Sequence, residues 1–142
     1  MPTVSEIQAI HITLEIDGNN ALFVLLANDG TVNRLGTGAV DNSETSLFIG
    51  VTDPPLIDEV MKSLNDEMLE HMGGYEIPDQ KGASCLLTIG FQFSGGEENG
   101  FRFSYGAESE GPPGEIIRLV IAAVEATEPW YTEQKEATNQ EQ

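Results

Sequence analysis

From His11 to Ile16 the chain alternates strictly, with Ile12, Leu14 and Ile16 to one side and His11, Thr13 and Glu15 to the other. That is the period of a half-buried strand. Asp17-Gly18-Asn19-Asn20 follows; these residues tolerate positive φ and predict a tight turn. The return strand, Ala21 to Ala27, is apolar almost throughout, as expected of a strand covered on both faces. Asn28-Asp29-Gly30 marks the next turn, Thr31 to Leu35 a third strand and Leu47 to Val51 a fourth. Between the last two, Gly36 to Thr45 mixes Gly, Asn, Asp, Ser and Thr and reads as a loop.

Pro54-Pro55 predicts a helix start, because the first proline disfavours helix before it and the second suits the first helical position. Ile57, Val60, Met61, Leu64, Met68 and Met72 then recur at spacings of three and four, up to a Gly73-Gly74 cap. Farther on, Cys85, Leu87, Ile89, Phe91 and Phe93 alternate with Thr88, Gly90 and Gln92. Phe101, Phe103 and Tyr105 answer them across a loop from Ser94 to Gly100. Gly111-Pro112-Pro113 opens a second helix with Ile117, Val120, Ile121 and Val124 as its core stripe, expected to stop at Pro129.

Strands joined by tight turns pair antiparallel. The expected fold class is α+β: an antiparallel sheet of about four to six strands with two helices packed on one face. Strand, strand, Pro-Pro and helix occur twice, which hints at an internal duplication, although the apolar phases of the helices do not align when the proline pairs are superimposed. Residues 1–132 read as one α+β domain and residues 133–142 as a polar, disordered tail.

Composition adds one unusual fact. Among 142 residues, 24 acidic side chains face 6 basic ones, a formal net charge of -18. Arg34, Lys62, Lys81, Arg102, Arg118 and Lys135 are scattered singly, so no basic patch offers itself to nucleic acid or to an anionic membrane. A basic protein would be attracted instead. The single cysteine, Cys85, excludes an internal disulfide, and Met1 to Ala9 lacks the basic start and apolar run of a signal peptide, so the expected location is the cytoplasm.

Searches for chemistry return little. His11 and His71 stand apart, with no HExxH and no cysteine pair, so no metal and no cofactor is expected. Asp17, Asp29 and Asp41 each begin an oxygen-rich loop, but the twelfth residues counted from them are Asn28, Val40 and Thr52 where a calcium loop needs Glu. Gly36-Thr37-Gly38 lacks the third glycine and the helix of a dinucleotide site. Cys85 falls on the apolar side of its strand and reads as an inert core thiol. With so many acids, Glu97-Glu98 and the Glu108, Glu110 pair carry no signal of acid-base catalysis.

Two features remain as candidates for partner binding. Trp130 and Tyr131 follow the second helix, where they either fold back on the core or stand as exposed anchors. Gln92 and Arg102 belong, with Thr88 and Ser104, to the polar side of the late hairpin. The first function expected is a non-enzymatic protein-interaction module, engaging a second copy or a basic protein. A second is a small-molecule binder or small enzyme assembled from distant residues, with Arg34 as anchor for an anionic ligand. A third is a nucleic-acid mimic that inhibits a basic protein, which requires carboxylates aligned on one surface.

Overall fold

A computed structural model of the chain describes residues 3–39 and 46–140. After a 3₁₀ turn (Val4–Glu6), three strands follow in sequence: β1 (Ile7–Ile16), β2 (Asn19–Ala27) and β3 (Thr31–Gly36). Then come β4 (Phe48–Val51), two short helices α1 (Ile57–Met61) and α2 (Asp66–Leu69), and β5 (Gly73–Glu76). β6 (Ser84–Phe93), β7 (Glu98–Gly106) and a long helix α3 (Gly114–Gln140) complete the chain. The strands form one seven-stranded sheet in the order β4-β3-β2-β1-β6-β7-β5.

The hairpins lie where alternation and turn residues predict them. β1 is central, with Ile12 opposite Val24 of β2 and Ile89 of β6. These side chains share the face that also carries Ile10, Leu14, Leu22, Leu26, Val32, Leu87, Phe91, Phe101 and Phe103, and all are buried. At roughly 1.5–3 kcal/mol for each large apolar side chain removed from water, this layer is the main source of stability. Ile116, Leu119 and Ala123 of α3 and Ile57 and Val60 of α1 close over it.

Four expectations are corrected. The sheet has seven strands and is mixed, because β5 joins the edge parallel to β7; Gly73 and Gly74, read as a helix cap, begin that strand. The helix predicted from Ile57 to Met72 is broken. Asn65 is extended (φ -146, ψ 161) and its side chain accepts a hydrogen bond from the Met68 N–H, so it caps a new helix instead of continuing the old one. One main helix therefore covers the sheet in place of two, and among the described residues no strand-strand-helix duplication is seen.

The last correction is α3 itself, which passes through Pro129 and runs over the residues read as a polar tail. Its buried stripe is Ile116, Leu119, Ala123, Thr127 and Tyr131, one position out of phase with the expected one. Ile117 and Ile121 are left 39% and 47% exposed. Proline in a helix interior costs about 3 kcal/mol or more in isolation. The turns around Pro129 are tied to the sheet on both sides, by Arg34 before it and by Trp130 and Tyr131 after it.

Candidate interaction surface

Arg34 is 1% exposed and lies on the covered face of β3. Its Nε donates to the Gly36 carbonyl at 3.0 Å, and its Nη1 donates to Thr127 Oγ1 at 3.0 Å and Glu128 Oε2 at 3.1 Å. The guanidinium stands 4.3 Å from the centre of the Tyr131 ring. Tyr131 is buried in turn; its hydroxyl accepts from the Gly36 N–H at 3.0 Å and its ring meets Phe48 edge-on at 5.7 Å. Trp130, half-buried, lies on β4, where a Cβ added to Gly50 would come within 2.8 Å of the indole. Arg34, Trp130 and Tyr131 thus form one clamp joining β3, β4 and α3. Tyr131 covers the core, and the Arg34 guanidinium binds the β3 backbone at Gly36 and Thr127, Glu128 and Tyr131 of α3.

Among the described residues no helix lies on the opposite face of the sheet. In register across it stand Val51 and Thr31; Ile49, Asn33, Leu25, His11 and Gly90; and Leu35, Phe23, Thr13, Thr88 and Arg102. The β4 end is apolar, with Ile49 68% and Val51 73% exposed and Leu47 beside them. The β7 end is polar and holds a trough of about 540 Å³ walled by His11, Gln92 and Arg102. The floor of this trough is glycine for a steric reason: the His11 ring lies across Gly90, where a Cβ would meet Nε2 at 1.9 Å. Gln92 and Arg102 therefore share one surface with the apolar patch, which the sequence did not reveal. Asn33 Oδ1 is buried on this face with no hydrogen-bond partner, a cost of about 1–3 kcal/mol.

Negative charge is distributed around this face and not across it. Its outward strand positions carry Glu15, Glu76 and Glu98, all toward its margins. Asp17, Asp29, Asp53 and Glu97 occupy turns or segments at the strand ends. The Thr31 hydroxyl and N–H hold the Asp29 carboxyl below its usual value. The other described acids lie on the helices and loops.

Other chemistry is sparse. Among the described residues no group of His, Cys, Asp and Glu is placed to hold a metal ion, and Asp41 lies outside those residues. Cys85 is buried, and burial first, then the Asp17 carboxylate, pushes its thiol above the ordinary value. Among the described residues no helix is long and apolar enough to cross a membrane. Comparison with known proteins finds no family model, no curated protein and no solved structure that matches this chain.

Proposed function

We propose that this chain is a non-enzymatic protein-interaction module that docks a basic protein on the open face of its sheet. The observation that carries this reading is a sheet face with an apolar and neutral centre and an acidic margin, in a chain of net charge -18. Protein interfaces favour this anatomy: charged residues are depleted at the centre, and charges at the rim steer the approach. Ile49, Val51, Leu25 and Phe23 supply apolar area, Arg102 and Gln92 supply directional contacts, and the partner it fits is an apolar patch ringed by Lys and Arg.

A photo-crosslinking residue placed at Ile49 or His11 is expected to trap one predominant basic protein in the cells that make this chain. The same residue at Arg118 on α3 is expected to trap none. Crosslinks from Arg118 in the absence of any from the open face would overturn the proposal.

One observation favours a second reading, self-association. Residues 46–51, which include the edge strand β4, contain no charged side chain and no proline, although edge strands are commonly blunted by such residues. On that reading light scattering gives twice the chain mass at physiological salt, and Ile49→Lys returns the protein to monomer.

A further inference from the structure

The covered side of the sheet is not covered completely. Because Asn65 breaks the first helical segment and α3 begins only at Gly114, the rings of Phe101 and Phe103 at the β7 edge face a cleft of about 700 Å³. Tyr75 of β5 forms one wall, stacked on Phe103 at 5.1 Å, with its hydroxyl donating to the His71 carbonyl. Glu110 and Glu115 also line the cleft. We propose that this cleft binds a small organic cation carried on an aromatic or aliphatic body.

Volume and lining set the class of ligand. Pockets for small molecules span roughly 300–1,000 Å³ and combine an apolar lining with a few polar groups. Here Phe101 and Phe103 form a stacked pair 6.0 Å apart, and Tyr75 adds a third ring, which suits a flat or extended apolar body. The sign of the ligand's charge follows from a count. The two carboxylates supply two negative charges, and the start of α3 opposes them with about half a positive one. Arg118 is close but outside the wall, its Nη1 3.8 Å from where a Cβ on Gly114 would stand. With it included, and His71 of the same lining counted as neutral, the surroundings remain negative by about half a charge, on a molecule of net charge -18. A cation is favoured over an anion of the same shape.

This site lies on the face opposite the proposed docking surface and does not depend on it. The experiment is an amide NMR titration of the full chain with 2-phenylethylammonium and, at equal ionic strength, with phenylacetate. Saturable shifts are expected over Gly73–Ile77 and Glu110–Ile116, with the amine binding about tenfold more tightly than the acid. The exposed double variant Glu110→Gln, Glu115→Gln should abolish most of that preference while keeping the apolar contacts. Failure of both probes to bind, equal binding of the two, or shifts that map to His11 and Arg102 on the open face would each overturn the proposal.

Discussion

Arg34 shows how a side chain that stands out in the sequence can be central to the fold. As the only basic residue among the first fifty it suggests an anion site, but its strand phase places it inside, against α3. Arg34→Met removes donors to Gly36, to Thr127 and, at 3.4 Å, to the Val124 carbonyl in a buried setting and is expected to cost about 2–4 kcal/mol. Glu128 is 50% exposed, so Glu128→Gln should cost less than about 1 kcal/mol. Urea unfolding compares the two, and equal losses would mean that the ion pair and not the buried network holds the clamp. The thiol of Cys85 and the phenol of Tyr105 act at the alkaline end, because burial raises both above their ordinary values of 9.0 and 10.0. Below those values each is protonated whether folded or unfolded. Above them the unfolded chain releases its protons first, so stability falls as pH rises through that range. Cys85→Ala should flatten the first part of the fall in a series of denaturation midpoints against pH.

Among the elements, the hairpins were legible and the helices were not. Strict alternation in β1 and β6, with Asp17-Gly18 between β1 and β2, is a local signal and sets which side of each strand is buried. The helical errors come from tertiary contacts that local pattern does not contain. Asn65 caps α2 although the apolar spacing runs through it, and the Arg34 clamp holds α3 together across Pro129. β5 was missed because Gly73-Gly74 is a good helix cap in isolation, and only the neighbouring β7 makes it a strand. The clamp makes a specific demand on α3. Loss of a buried large aromatic costs about 3–5 kcal/mol, so a chain ending at Pro129, without Trp130 and Tyr131, should lose most of its cooperative urea transition. A chain ending at Thr132 should keep it. If both unfold alike, the aromatics are not part of the fold's support.

At the scale of the molecule, sequence gave the α+β class and the excess of acid but not where the acid lies. Gln92 and Arg102 were readable as outward residues of a hairpin. Their meeting with Leu25, Phe23, Ile49 and Val51 was not, because it depends on strand order across the six strands from β4 to β7. The open face is the feature on which the proposed function rests. Hydroxyl-radical footprinting of the purified chain, set beside the same labelling in the cells that produce it, reports whether that face is occupied. Docking on the open face predicts that Phe23, Leu25, Ile49 and Val51 are labelled in the purified protein and protected in the cell, while the exposed Ile117 and Ile121 of α3 are labelled equally in both. Protection of Ile117 and Ile121 with the open face still labelled would contradict it.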